Sequence, residues 1–154
     1  MREPRLRRKP TGPCYTLAPM LDDRLTSEER RALLLLLTSV ALSDGKLTDA
    51  EVRFVQRHAL RAGLEVGDLL REVDGHSEGA LCLALARPVA SRIAVIELLR
   101  LAHVDDLYAH VEREAIETLC GRLGVEPELL ARMEQWARRE HELLAEAEVL
   151  VDRG

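Results

Sequence analysis

An internal repeat constrains the fold of this chain more than any other feature of its sequence. When the 154 residues are aligned with themselves at an offset of 61, Val40 to Asp44 corresponds to Leu101 to Asp105. At the same offset and without a gap, Glu51 to Leu64 corresponds to Glu112 to Val125. In both stretches an apolar segment ends at an aspartate, a turn follows, and a glutamate stands seven residues after the aspartate. The pattern predicts two related helical hairpins that bury their apolar faces against each other.

Local signals predict that the rest of the chain is also helical. Thr26 and Thr48 each begin a capping-box sequence with a glutamate three residues later, and Pro88 and Pro127 suit first helical positions. Four aromatic residues leave a core of Leu, Ala and Val, which favours helix over sheet. We therefore predict an all-α fold, a single bundle of about seven helices over residues 21–151, with a last helix from about 127. The predicted helices cover residues 27–43, 49–62, 66–73, 77–86, 88–103, 110–123 and 127–151.

The first 20 residues differ from the remainder in composition and charge. They contain four prolines and no helical period, which predicts a disordered tail. Residues 1–10 carry five basic side chains against Glu3, a local charge of +4, so the net charge of −5 leaves −9 for residues 11–154. The acidic domain is not expected to bind nucleic acid, whereas the basic tail either stays solvated or contacts an anionic surface.

Composition also indicates where the chain works. Stretches without a charge reach 12 residues, as from Ala32 to Ser43, and a spanning helix needs about 20. No apolar segment follows the charged N-terminus as a secretory signal would require. Three widely spaced cysteines without a CxxC pair fit a reducing compartment. We expect a soluble, cytoplasmic protein without a transmembrane segment.

The two acidic turns are the strongest candidates for chemistry. Asp44, Gly45, Leu47 and Glu51 have the spacing of the second half of an EF-hand loop, but apolar residues replace its first carboxylates. Asp105 and Glu112 repeat this half-loop, so two half-sites brought together by the repeat can supply oxygen ligands to one divalent cation. Weaker candidates for ligands or neighbouring charges are Asp49, Asp106, His103 and His110.

A purely structural interpretation competes with the cation site. Asp44 can cap a turn, and Glu51 can complete a capping box with Thr48, which needs no metal. Asp105 and Glu112 are harder to explain in this way, because Ala109 is not a capping residue.

The apolar helix ending at Asp44-Gly45 with Glu51 in the next helix, repeated as Asp105-Asp106 and Glu112, resembles the TerB family. That family includes the tellurite-resistance protein and a similar domain of DjlA-type co-chaperones. The resemblance covers about residues 25–133. It implies an all-α fold with two related halves and a divalent-cation site, carried here by Asp44, Glu51, Asp105 and Glu112. Asp106 departs from the family pattern, which has glycine there.

No phosphate-binding loop or HExxH sequence occurs, so we expect a protein that is not an enzyme. The leading hypothesis is a TerB-like domain that binds a divalent cation and acts in a stress-response assembly. The alternative is a co-chaperone-type interaction module without metal, and a metal-dependent hydrolase is a third interpretation. The last helix either frays in its second half or binds another protein or a second copy of the chain.

Overall fold

The structure is a computed structural model that describes residues 21–43, 45–104 and 110–152, with side chains in the last range from residue 114 onward. These ranges contain seven α-helices and no strand, which confirms the predicted all-α fold. The helices are α1 (Ser27–Ala41), α2 (Asp49–Arg61), α3 (Val66–Glu72), α4 (Glu78–Ala84), α5 (Pro88–Ala102), α6 (His110–Arg122) and α7 (Pro127–Asp152). Short 3-10 turns, Leu21–Arg24 and Val73–Gly75, precede α1 and follow α3. The predicted tail, residues 1–20, lies outside the described residues.

Helix α1 is the centre of the bundle. Its Leu33 to Leu37 are all buried, because α2, α3, α4 and α5 pack around it. A capping box begins the helix: the Thr26 hydroxyl accepts from the Glu29 N–H at 3.1 Å, and the Glu29 carboxylate accepts from the Thr26 N–H at 2.8 Å. The leucine run, apolar on all sides, therefore forms a helical segment without a solvent face, as its sequence predicts.

The start of α5 is tied to the start of α1 by Arg87. Its Nε and Nη2 donate to the two carboxylate oxygens of Glu29 at 2.7 and 2.6 Å. These bonds outweigh burial, and with those from Thr26 they lower the pKa of Glu29 to about 2. The two central helices thus begin side by side, joined by a bidentate ion pair.

The 61-residue repeat is visible in the backbone. Helices α1 and α5 both have 15 residues, α2 and α6 both have 13, and each pair starts 61 positions apart. Gly63 and Gly124 end the second helix of each unit with φ of +68° and +69°. Equivalent carbonyls accept the hydrogen bond at the end of each helix, since Leu64 N–H donates to Ala59 O and Val125 N–H donates to Cys120 O. The hairpins α1–α2 and α5–α6 are therefore related in structure as well as sequence.

Helix α7 is the longest in the described ranges, with 26 residues. Its first half packs against α5 and buries Met133 and Ala137. Its second half does not fray: the helix continues to Asp152, although every residue from 142 to 152 is exposed. No helix in the described ranges combines the length and apolar composition needed to cross a bilayer.

Candidate functional site

The first acidic turn is only partly described. Glu51 forms the capping box of α2: its Oε2 accepts from the Thr48 N–H at 2.9 Å, and the Thr48 hydroxyl accepts from the Glu51 N–H at 3.2 Å. Asp49 is exposed in the first turn of the same helix. Glu51 thus completes the capping box of α2, the role that the structural interpretation of the sequence assigns to it.

The remaining predicted ligands cannot be positioned. Asp44, Asp105 and Asp106 lie outside the described residues, as do the side chains of His110 and Glu112. Among the described residues, no group of three or more His, Cys, Asp or Glu is arranged to hold a metal ion. The paired acidic site therefore stays a prediction.

His103, a weaker predicted ligand, has a different neighbour in the structure. It follows the end of α5, is half-buried, and stacks on His141 of α7 with ring centroids 5.7 Å apart and planes inclined by 25°. Both rings line an open cleft of about 210 Å³ between α2, α5 and α7. Phe54, Ala137 and Leu144 supply apolar walls to this cleft.

The cleft adjoins a chain of ionisable side chains that sequence reasoning missed, and three of its members, His58, Arg100 and Glu140, also line the cleft. His58 Nδ1 lies 3.3 Å from Asp22 Oδ2, and His58 Nε2 lies 3.3 Å from Glu97 Oε2. These three residues are at most 3% exposed. Arg100 continues the chain, since its Nη1 donates to Glu97 at 3.1 Å and its Nε and Nη2 donate to Glu140 at 2.7 and 2.8 Å. We call these five residues the buried ionic chain.

The charges of this chain depend on one another. Burial alone would raise the pKa of Glu97, but the hydrogen bond from His58 and the charges of Arg100 and His58 outweigh it and hold the pKa below its usual 4.5. Burial likewise opposes the positive charge of Arg100, and the carboxylates of Glu97 and Glu140 outweigh it and raise the Arg100 pKa. Because both nitrogens of His58 face carboxylates, the imidazole joins structural elements and directs neither nitrogen into the cleft.

The buried ionic chain connects the 3-10 turn at Leu21–Arg24 with α2, α5 and α7. One sequence signal points to it: Glu97 is the single charged residue in the otherwise apolar segment of α5 from Ile93 to Leu99. The repeat gives a second signal, because Leu36 and Leu119 stand 61 positions from Glu97 and His58. Both leucines are buried, so each half has a leucine at one of these positions and a polar residue at the other, and the two polar residues contact each other across the halves.

The exposed end of α7 carries an apolar face. At 100° per residue, Leu143, Leu144, Ala147, Leu150 and Val151 fall within about 120° around the helix axis. The four larger side chains are between 59% and 78% exposed. Met133, which is buried in the bundle, lies in the same angular sector. We call residues 142–152 the α7 overhang and these five apolar residues the overhang stripe.

These features define a class: an all-helical bundle built from two related hairpins, with an ionic chain in its interior and an apolar helix end outside it. The family model described as Tellurite resistance protein TerB matches residues 2–72. The match includes α1, α2 and α3 but not α4 to α7, and over this part of the chain it confirms the predicted resemblance to a TerB-like domain. No curated protein and no solved structure matches the chain.

Proposed function

We propose that this chain is a non-enzymatic, TerB-like interaction module that binds a partner protein through the overhang stripe. The observation that supports the proposal is the row of large apolar side chains exposed from Leu143 to Val151, in the angular sector of α7 that is buried at Met133. Three helical turns that hold a row of large apolar side chains in water are typical of a protein-binding surface.

The TerB match suggests the setting in which this module works. We propose a role in a tellurite-resistance-like stress-response assembly, in which α7 joins the domain to another component. Cells that lack the chain would be complemented with the wild type, with Leu150→Ser or with Leu83→Ser, and their survival on tellurite compared. Leu83 is a matched control, because it is 76% exposed on α4 and Leu150 is 68% exposed on α7. Loss of survival is expected for Leu150→Ser alone, and equal survival of all three strains would contradict this role.

Docking itself is tested by placing a photo-crosslinking amino acid at position 150 in the cell, with position 83 as the control. We expect a discrete protein adduct from position 150 and none from position 83. The absence of adducts at both positions, or the same adducts at both, would refute the docking surface.

Cation binding is a second candidate, since the family match includes the first acidic turn, residues 44–51. Calcium, magnesium, manganese and zinc would be titrated into the wild type and an Asp44→Asn, Asp105→Asn variant, following heat release and thermal stability. Binding that is lost in the variant is expected for a shared site. A wild type that binds none of these ions, or a variant that binds equally well, excludes it.

A further inference from the structure

The edges of the overhang stripe are acidic. Glu146 borders one side of the stripe and Glu148 the other, and Glu142 and Asp152 lie further round the helix on the same two sides. The sequence has no Lys or Arg from residue 140 to residue 152. Arg153 is the one basic residue beyond, so residues 142–154 carry four negative side chains against one positive, a net of −3. The apolar face is thus enclosed by charge of one sign.

From this arrangement, and resting on the docking function proposed above, we infer that the overhang binds an amphipathic helix whose apolar face is flanked by Lys or Arg. A helix laid along the stripe places its flanking residues opposite the two carboxylate edges, as the edge positions of a coiled coil are paired. The overhang is about 16 Å long at 1.5 Å per residue, so its apolar contact is small. Favourable edge charges are then needed for a specific complex.

The same charges disfavour other occupants. Two copies of the chain packed stripe to stripe would bring carboxylate edges together, which costs affinity. Anionic lipid and nucleic acid would be repelled by the same edges. A basic helix is the occupant for which both the apolar face and its border are complementary.

The stripe also begins beside a cavity that a partner can use. Leu144 lines the cleft of about 210 Å³ together with Ala137 and Phe54. A large apolar side chain at the end of the partner helix can enter this cleft while the rest of the helix follows the stripe. This arrangement gives the contact a fixed starting point on the bundle.

Two designed peptides of about 18 residues test the inference with the full-length chain. Both have the same leucine face, and one has Lys flanks whereas the other has Glu flanks. We expect the Lys-flanked peptide to bind at least tenfold more tightly by fluorescence anisotropy, with an affinity that falls as salt rises. Equal affinities, or tighter binding of the Glu-flanked peptide, would overturn the inference.

Matched charge variants locate the contact. One variant neutralises the edges with Glu142→Gln, Glu146→Gln, Glu148→Gln and Asp152→Asn. A control removes the same charges from exposed positions elsewhere, with Glu65→Gln, Asp74→Asn, Glu126→Gln and Glu128→Gln. The edge variant is expected to lose roughly tenfold in affinity for the Lys-flanked peptide, from four exposed charge pairs, and the control less than twofold. Equal losses would show a non-local charge effect and overturn the inference.

Other occupants give distinct results. Sedimentation of the wild type as a dimer that Leu150→Ser converts to a monomer would assign the stripe to a second copy. Displacement of the Lys-flanked probe by a peptide of residues 2–20 would assign it to the chain's own basic segment. Either result overturns the inference but leaves the stripe as a docking surface. Failure of both designed peptides, together with absent crosslinks at position 150, refutes the docking function itself.

Discussion

Neutralising Glu97 tests whether the buried ionic chain stabilises the bundle. Glu97→Gln keeps the size of a fully buried side chain but removes the charge that faces His58 and Arg100. A hydrogen bond to a charged group contributes about 1.5–3 kcal/mol, and breaking a buried ion pair costs about 3–5 kcal/mol. Arg100 keeps its bidentate contact with Glu140 and is 27% exposed, which reduces the loss. We expect the free energy of unfolding to fall by about 2–4 kcal/mol.

Urea and thermal unfolding followed by circular dichroism measure this loss. For a domain of this size, the midpoint temperature should fall by roughly 5–15 °C. The matched control is Glu78→Gln, because Glu78 receives a 3.1 Å contact from Arg122 at a site where both side chains are more than 40% exposed. The control should lose less than about 1 kcal/mol. If Glu97→Gln loses no more than Glu78→Gln, the buried ionic chain does not stabilise the fold.

The difference in the free energy of unfolding between the wild type and Glu97→Gln should change with pH in a definite direction. The folded-state pKa of Glu97 lies below its usual 4.5, so its ionic contribution is complete above that value and is lost as pH falls through the lower folded pKa. The gap between wild type and Glu97→Gln should therefore be widest near neutral pH and narrow below about pH 4.5. A gap that widens in acid would refute this assignment.

Three further outcomes follow from the fold. Glu29→Gln should lower the free energy of unfolding by about 1–2 kcal/mol above pH 5, a value kept small because Arg87 is 45% exposed. Because the folded pKa of Glu29 is about 2, this contribution should fade between pH 5 and pH 2 in denaturation curves, and a difference that stays constant would contradict it. Gly63→Ala should lower the free energy of unfolding by about 1–2 kcal/mol because the φ of Gly63 is +68°, whereas Gly79→Ala, inside α4, should raise it by up to about 1 kcal/mol. Changes of the same sign in both variants would refute this backbone argument. Cys120 is buried, and its pKa is raised to about 12, so it should resist alkylation by iodoacetamide at pH 8 until the protein unfolds. Mass spectrometry of the treated protein measures the alkylation, and rapid labelling of the native protein would contradict the burial of Cys120.

The helices were predictable because their signals are local. Thr26 and Thr48 begin capping boxes, Pro88 occupies the first turn of α5, and Gly63 and Gly124 end their helices at positive φ. The offset of 61 then gave the pairing of α1–α2 with α5–α6. Each helix end depends on residues a few positions apart, so local sequence patterns are sufficient to locate it.

The interior charges and the acidic site required more than local patterns. Asp22 and His58 are 36 residues apart, and Arg100 and Glu140 are 40 apart, so their contacts depend on how helices pack. Glu51 shows a different limit: one spacing predicted both a cap and a ligand, and the structure shows the cap. Whether it also binds a cation depends on partners outside the described residues, and that interpretation stays a prediction.

The replacement of Leu36 and Leu119 by Glu97 and His58 in the equivalent positions constrains how the two halves diverged. A single carboxylate placed in a leucine layer would be buried without a partner, and so would a single imidazole. Each change alone lowers stability by more than most single substitutions, whereas the two together with Asp22 and Arg100 are tolerated. A designer who wishes to make the two halves alike at this layer must therefore exchange the whole group at once.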